Sequence, residues 1–306
     1  MIRFAGLTLA AALAASAVPA IAQQRPDPNA DVSVANPAFA RGKGPVIAID
    51  SAHRNFQTIA GGYGPFAALL TNDGYQLEDF PDRPTAANLA SIKVLVIAGA
   101  RLPITPPGKM PDAFSAFSVD EIQILHDWVE AGGSLFLCTD HPPYSTAIGA
   151  LAASFGFTVN PRAAAIAGFP DAEEIFSLKN GGIVPGPLTA GVGQIRTFFG
   201  TAFLPPSGAT PMVELGSDWS FIAPPAAPEP ASSADWRIAS LKVGKGRVVL
   251  TGETGMMSAQ LYGKIAKGKA IPMGWNAPDA TDNRQLVRNI AFWLATGDDP
   301  RLVPSN

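Results

Sequence analysis

The stretch GGSLFLCTDHPP, residues 132–143, decides the fold class of this chain. Its two glycines are typical of residues that end a helix. The apolar run 134–139 is typical of a strand in a parallel sheet that helices cover on both faces. Asp140 and His141 follow this run directly. Two prolines restrict the backbone after them, which helps to hold the imidazole in one place. We interpret the stretch as a central strand with functional side chains at its carboxyl end.

Strands and helices alternate along the first half of the chain, which favours βαβ units and a parallel sheet. The patterns predict strands over 46–50, 75–80 and 94–98, and helices over 65–72, 145–155 and 283–296. A capping box of Ser118 and Glu121 begins a further helix, which Gly132 ends. Segments 236–243 and 246–251 flank a glycine turn and predict an antiparallel hairpin. The predicted fold is an α/β three-layer sandwich with a mainly parallel, flavodoxin-like sheet and this hairpin at one side.

The first residues predict export rather than a folded element. Residues 1–22 combine a positive start at Arg3, an apolar run and a small-x-small sequence ending at Ala22, as a secretory signal peptide does. Residues 23–43 are rich in Pro, Asn, Asp and Ala without a period, which predicts a flexible lead-in. Residues 44–298 then predict a single domain with a less regular region over 160–235. The expected location is periplasmic or secreted.

Composition narrows the classes of partner. Charged residues make up 15% of the chain and the net charge is −3, so the basic stripe of a nucleic-acid-binding protein is not expected. Beyond the leader, no run reaches the roughly 18 apolar residues of a membrane span. Cys138 is the single cysteine, so an intramolecular disulfide is excluded. Because it lies in an apolar strand without a nucleophile elbow, we interpret Cys138 as a small buried hydrophobe. The sequence does not determine the oligomeric state.

Three predicted strands end in acidic residues, and two of these acids have a histidine close behind. Asp50 and His53 follow the first strand, Asp140 and His141 follow the central strand, and Glu253 follows the last strand of the hairpin. The carboxyl ends of parallel strands line one crevice, where ligands bind. If the three strands are neighbours, these five side chains converge. We expect His141 to be a general base or ligand oriented by Asp140, with His53 and Asp50 as the facing pair and Glu253 as a second acid.

Two kinds of chemistry would use the same residues. His53, His141, Asp140 and Glu253 are candidate ligands of a divalent metal such as zinc, because zinc takes imidazole and carboxylate donors. Alternatively, a carboxylate–imidazole pair can perform acid–base hydrolysis without a metal. The chain has no Gly-x-Ser-x-Gly elbow and no His-Glu-x-x-His sequence, so an ordinary serine hydrolase and a zincin are not expected.

Four further side chains are candidates for binding a substrate. Asn55 and Tyr63 lie in a polar, glycine-rich segment before a predicted helix, where backbone N–H groups can face an anion. Residues from Met256 predict another helix that would direct Gln260 back to the pocket. Asn276 lies in a proline-bounded aromatic loop, 272–278. For Gln260 and Asn276 the alternative is ordinary turn and cap chemistry.

Several of these motifs together resemble a known group of proteins. DSAHRNF (50–56), TDHP (139–142), GKGRV (244–248) and the segment 283–294 are similar to exported bacterial proteins with a class I glutamine-amidotransferase-like, flavodoxin-related domain. The same broad group includes domains of gliding-motility and intraflagellar-transport proteins, for which carbohydrate binding has been proposed. The resemblance implies the fold, and it places these residues at motif positions: Asp50, His53, Asn55, Asp140, His141, Glu253, Gln260 and Asn276. Amidotransferases use a Cys on a tight elbow, which this chain lacks, so glutamine hydrolysis is not expected.

The expected function is that of an exported hydrolase-like enzyme acting on a small or polymeric, glycan-like polar substrate, with or without a metal. The alternative is a non-catalytic carbohydrate- or ligand-binding module of the same fold. In that case the pocket would bind through its polar side chains and through stacking on Trp275, Tyr63 and Tyr144. A catalytic site should hold the histidines and carboxylates in mutual contact, whereas a binding module should show an aromatic groove with the histidines apart.

Overall fold

A computed structural model describes residues 24–104, 114–169, 171–222, 227–232, 234–263 and 270–298, so the predicted signal peptide lies outside the described residues. The helices are α1 (Gly64–Asn72), α2 (Ala86–Leu89), α3 (Val119–Ala131), α4 (Tyr144–Ser154) and α5 (Asn283–Thr296). The strands are β1 (Arg25–Pro26), β2 (Val46–Asp50), β3 (Gln76–Phe80), β4 (Val94–Ala98), β5 (Ser134–Cys138), β6 (Thr158–Val159), β7 (Ala163–Ile166), β8 (Glu174–Ser177), β9 (Gln194–Thr197), β10 (Phe203–Leu204), β11 (Thr210–Glu214), β12 (Trp219–Ile222), β13 (Glu229–Pro230), β14 (Trp236–Val243), β15 (Gly246–Thr251), β16 (Ala259–Tyr262) and β17 (Ile271–Gly274). Within this described part, none of the helices has the length and apolar character needed to cross a membrane.

The central sheet has the strand order of a flavodoxin-like fold. Its parallel part runs β3-β2-β4-β5-β15, and β14 then pairs antiparallel with β15. Counted along the chain, the parallel strands take the order 2-1-3-4-5, in which the direction of winding reverses between β2 and β4. The predicted α/β class, the mainly parallel sheet and the antiparallel hairpin are therefore confirmed.

Helices cover both faces of this sheet, which gives the predicted three layers. Successive residues of a strand point to opposite faces, and β4 shows this directly. Val94 and Val96 pack on the side of α1 and α5, whereas Leu95 and Ile97 pack on the side of α3 and α4. All five residues of β4 are buried. The apolar composition that predicted a doubly covered strand is thus explained by two cores, one on each face.

Local signals account for the position of α3. The Ser118 hydroxyl accepts a hydrogen bond from the Glu121 N–H, and the Glu121 carboxylate accepts one from the Ser118 N–H, so both ends of the predicted capping box are present. The helix ends at Gly132, whose φ of 124° is open to glycine but strained for other residues. This end leads directly into β5, and so fixes where Asp140 and His141 leave the sheet.

The segment before β2 packs against the domain and differs from the flexible lead-in predicted over 23–43. Its first described residues form β1, which pairs antiparallel with β16. Val32, Val34 and Phe39 pack against the core, and Arg288 donates hydrogen bonds to the Asn36 carbonyl and to Asp73. Composition missed these contacts because the apolar residues of the segment have no regular period.

The region 160–235 is built from small antiparallel sheets. β7, β12 and β13 form one of them, and β8 and β9 form another. The strands are short, and two of them continue the central sheet beyond β14, namely β10 and β11. This region matters for function because the loop after β9 reaches the carboxyl end of β5.

Candidate functional site

Asp140 and His141 form a hydrogen-bonded pair at the carboxyl end of β5. Asp140 Oδ1 accepts hydrogen bonds from the His141 backbone N–H at 2.8 Å and from His141 Nδ1 at 2.5 Å. Asp140 Oδ2 accepts from the Thr254 N–H at 3.2 Å and from its hydroxyl at 2.7 Å. Thr254 follows the neighbouring strand β15. Two adjacent strand ends thus orient the carboxylate, and the carboxylate orients the imidazole.

The surroundings of His141 decide which ring nitrogen is free. Nδ1 lies near Asp140 Oδ1 and also 3.2 Å from the Phe199 carbonyl oxygen. Neither an ionised carboxylate nor a carbonyl can donate, so Nδ1 carries the proton and Nε2 holds the lone pair of the neutral ring. The hydrogen bond that His141 Nδ1 donates to Asp140 raises the pKa of His141 above its usual 6.5, against the opposing effect of burial. The side chain is 41% exposed, so the free nitrogen is accessible.

His141 lies in the wall of a cleft with a volume of about 680 Å³. Apolar and aromatic side chains form much of the lining, including the exposed Phe199, Tyr262 and Ile271. Phe199 has a φ of +59°, a conformation that costs an aromatic residue energy and that is concentrated at functional sites. Its ring centroid lies 5.2 Å from that of His141. The strained residue therefore forms the edge of the cleft at the imidazole.

Glu253 lies behind the Asp140–His141 pair and is fully buried. Its two carboxyl oxygens accept hydrogen bonds from the N–H groups of Gly255 at 2.5 Å and Met256 at 2.8 Å. Burial, and then the nearby charge of Asp140, raise the pKa of Glu253 well above 4.5. Burial therefore favours the protonated form of Glu253. Its side chain does not line the cleft. It holds the backbone just after Thr254, the residue that donates to Asp140.

Asp50 and His53 form a second pair, separate from the first. His53 Nδ1 lies 2.8 Å from Asp50 Oδ2, and Nε2 lies 3.5 Å from Glu121 Oε1 on α3. The ring packs on Phe117 at 4.1 Å between centroids, and the residue is 3% exposed. Since β4 separates β2 from β5, the two pairs follow strands that are not neighbours. The expected single cluster of five side chains is therefore two groups, one around His141 and one buried around His53.

The structure does not gather the predicted metal ligands. Among the described residues, the ligand atoms of His53, His141, Asp140 and Glu253 supply no group of three within 4.8 Å of one another. The two acids also have their oxygens engaged by N–H and O–H donors. A divalent metal would have to displace these donors, so the residues as arranged do not fit a metal centre.

The four predicted substrate-binding residues lie away from the cleft. The Tyr63 hydroxyl is buried and donates to the Thr254 carbonyl at 2.9 Å. Asn55 accepts from the His53 N–H, and Asn276 donates to Asp27 and so anchors the segment before β2. Gln260 is fully buried in β16. The helix predicted from Met256 is wrong, because a single 3₁₀ turn is followed by a strand that pairs with β1 and β17, and this tertiary pairing overrides the local signal.

Cys138 is a core residue, as its sequence context indicated. It is fully buried at the end of β5, and burial raises the pKa of its thiol above the usual 9.0. A reactive cysteine needs thiolate character and exposure, and this thiol has neither. The burial of Cys138 therefore agrees with its interpretation as a small buried hydrophobe.

Sequence reasoning missed three residues that contact the Asp140–His141 pair or its neighbours. Thr254 holds Asp140, Phe199 holds His141, and Arg101 hydrogen-bonds to Tyr144 next to His141. Thr254 directly follows Glu253, so the TGETG sequence offered a signal. Phe199 and Arg101 lie in loops far along the chain from His141, and no spacing pattern connects them to it.

The fold is similar to that of solved structures at low sequence identity. The mmIFT52 N-terminal domain has a TM-score of 0.59 and 16% identity, over 82% of this chain and 98% of that chain. A ThuA-like protein from Bacteroides uniformis ATCC 8492 has a TM-score of 0.41 and 12% identity, over 86% of this chain and 98% of that chain. A GMP synthase-like protein from Thermoplasma acidophilum has a TM-score of 0.45 and 11% identity, over 83% of this chain and 96% of that chain.

No family model and no curated protein matches the sequence. At 16% identity the likeness to the mmIFT52 domain shows the fold alone. It agrees with the strand order of the central sheet, so this is a flavodoxin-like α/β fold.

Proposed function

We propose that this protein is a hydrolase-like enzyme in which His141 performs acid–base chemistry on a polar substrate bound in the cleft. The observation that carries the proposal is the chain of hydrogen bonds from Thr254 through Asp140 to His141 Nδ1, which leaves Nε2 free at the cleft. A base must be within hydrogen-bond reach of the proton that it takes, and it must be held in the right tautomer. The Nδ1 contact with Asp140 supports the second condition, and the position of His141 in the cleft wall supports the first.

In the proposed reaction, water is the nucleophile. His141 Nε2 has no hydrogen-bond partner among the described residues, so it is open to a water molecule placed between the imidazole and the substrate. The neutral ring takes a proton from this water, and the Asp140 carboxylate stabilises the imidazolium that forms. The same imidazolium can then return the proton to the leaving group. Neither Cys138 nor Glu253 takes part directly, because both are fully buried.

The setting of the proposed reaction is outside the cytoplasm. The support is the leader of residues 1–22, which has the composition of a secretory signal peptide. The motifs around His53 and His141 likewise support membership of the exported group of amidotransferase-like proteins. The substrate is then a small or glycan-like polar molecule, which the aromatic and charged lining of the cleft suits.

A comparison of two histidine variants tests the proposal. Chromogenic esters, phosphate esters and glycosides are presented to the wild type, to His141→Gln and to His126→Gln. His126 is the matched control, since it is half-buried on α3 against Phe155 and does not line the cleft. General acid–base groups contribute about 10²- to 10⁴-fold, so turnover should fall by that factor in His141→Gln and stay unchanged in His126→Gln. Turnover retained in His141→Gln would refute the assignment.

The second candidate is a non-catalytic glycan- or ligand-binding module. It is favoured by the exposed Phe199 and Tyr262 along the cleft, because aromatic faces stack on sugar rings. It is also favoured by the separation of the two histidines. Glycan-array binding that is lost in Tyr262→Ala, with no turnover of any substrate by the wild type, would support this function in place of the enzyme.

A further inference from the structure

Arg101 lies at the point of the sheet where flavodoxin-like folds bind ligands. It follows β4, whose neighbour is β2, and the winding direction of the sheet reverses between these two strands. The Arg101 N–H donates to the His53 carbonyl at 3.1 Å, so the loops after the two strands are joined there. Its side chain lies between Phe56, in the loop after β2, and Tyr144, in the segment after β5.

Stacking fixes the guanidinium of Arg101 without neutralising it. Its Cζ lies 5.2 Å from the ring centroid of Phe56 and 5.8 Å from that of Tyr144. Its one hydrogen bond in the described part of the chain is a long one, from Nη2 to the Tyr144 hydroxyl at 3.4 Å. Two other stacked arginines differ in this respect, because Arg162 pairs with Glu229 at 2.6 Å and Arg196 with Glu173 at 2.9 Å. No described carboxylate pairs with Arg101.

The groups around Arg101 add to its positive potential. Tyr144 is the first residue of α4, and this helix has neither a side-chain cap nor an acidic residue in its first turn. An uncapped helix N-terminus presents free N–H groups and partial positive charge. Arg54 reaches the same loop, where it donates to the Leu102 carbonyl at 2.6 Å. The edge of the His141 ring faces Tyr144, with 5.8 Å between centroids.

We propose that Arg101 binds an anionic oxygen group of the substrate, namely a carboxylate, a sulfate or a phosphate, next to the scissile bond at His141. A guanidinium held in place by stacking keeps most of its five N–H donors free and loses little entropy on binding an anion. The cleft lining has three acidic residues, Asp171, Glu173 and Glu174. Glu173 is already paired with Arg196, and Glu174 with the buried Arg237. The substrate then extends its anionic end toward Arg101 and the rest of its body into the cleft. The assignment of the group as part of a substrate rests on the proposed function.

Binding of simple anions tests this inference without a substrate. Sodium sulfate, phosphate and acetate are titrated separately into the wild type at constant ionic strength, and the backbone amide NMR signals of the first turn of α4 are followed. The same titrations are made on Arg101→Met, Arg101→Lys and the matched control Arg162→Met, which also loses a stacked arginine. The three anions distinguish a preference for a sulfate, phosphate or carboxylate group.

We expect at least one anion to shift these signals in the wild type, with affinity reduced about tenfold or more in Arg101→Met, because a charge-assisted hydrogen bond is lost. Arg101→Lys should bind with intermediate affinity, since it keeps the charge but loses the planar fork. Arg162→Met should bind like the wild type. No binding by the wild type, equal binding by Arg101→Met, or equal loss in Arg162→Met would each overturn the inference.

The outcome is separable from that of the proposed function. Anion binding needs no turnover, so a failed substrate screen would leave the Arg101 result standing as a ligand site of a binding module. Conversely, if Arg101→Met binds anions normally while His141→Gln is inactive, the acid–base function holds and the anionic substrate is refuted.

Discussion

The substitution Asp140→Asn removes the charge of the carboxylate on which the account of His141 depends. Both Asp140 oxygens accept two hydrogen bonds, Oδ1 from the N–H and Nδ1 of His141, and Oδ2 from the N–H and hydroxyl of Thr254. The asparagine amide keeps one oxygen and exchanges the other for NH₂. Whichever way it turns, its NH₂ group faces two donors.

The size of the effect follows from these contacts. If the NH₂ group faces Thr254, which is buried, a buried donor without an acceptor costs about 1–3 kcal/mol of folding stability. If it faces His141, Nδ1 must accept a hydrogen bond from it, so the ring proton moves to Nε2. Nε2 then has no lone pair with which to accept a proton in the cleft. In either case the pKa of His141 should fall toward its usual 6.5, because the hydrogen bond that His141 donates to Asp140 is the largest cause of its elevation.

NMR of the imidazole nitrogens measures this directly, since the chain has only three histidines. The His141 signals should titrate above pH 6.5 in the wild type and at lower pH in Asp140→Asn. The control is Asp127→Asn, an exposed acid 4.0 Å from His126, which should leave the His141 titration unchanged. An identical His141 titration in the wild type and Asp140→Asn would refute the reasoning.

The stability difference between the wild type and Asp140→Asn should also decrease as pH rises. A raised histidine pKa stabilises the fold below the unfolded value of about 6.5, and this contribution is lost as pH rises through the folded pKa. The difference in melting temperature between the wild type and Asp140→Asn should therefore be larger at about pH 6 than at about pH 9. A difference that grows with pH would contradict the assigned direction of the shift.

Two further predictions concern the buried groups behind the pair. Burial raises the pKa of Glu253 in the folded protein, so the stability that its protonated form contributes is present below the unfolded pKa of about 4.5 and is lost as pH rises through the folded pKa. Glu253→Gln should remove this decline in thermal melts recorded across pH, and parallel curves for the two proteins would contradict a raised pKa. Cys138 should not react with Ellman's reagent until guanidinium unfolds the chain, because the thiol is fully buried; one equivalent of reaction in the native protein would contradict this burial.

Much of the fold could be predicted because its signals are local. The capping box at Ser118 and the glycine turn of the hairpin each depend on residues close in sequence, and both were confirmed. The strand around Gln260 could not be predicted in this way. It forms because β16 has partners on both sides, β1 and β17, and the sequence around Met256 contains no sign of them.

The two Asp–His pairs could be predicted from the sequence, but their arrangement in space could not. Each Asp–His pair could be found from an acid at a strand end with a histidine close behind. The position of β4 between β2 and β5 separates the two pairs, and strand order is a property of the whole chain. For the same reason Phe199 and Arg101, which reach the site from distant loops, left no signal near His141.

The pH dependence of kcat/KM tests the central claim most directly, on whichever substrate the comparison of histidine variants identifies. If His141 is the general base, kcat/KM should rise with pH through a single ionisation above 6.5, and His141→Gln should lose both the ionisation and most of the rate. His126→Gln should give the wild-type profile. A profile that stays flat across this range, or an ionisation that persists in His141→Gln, would contradict the account.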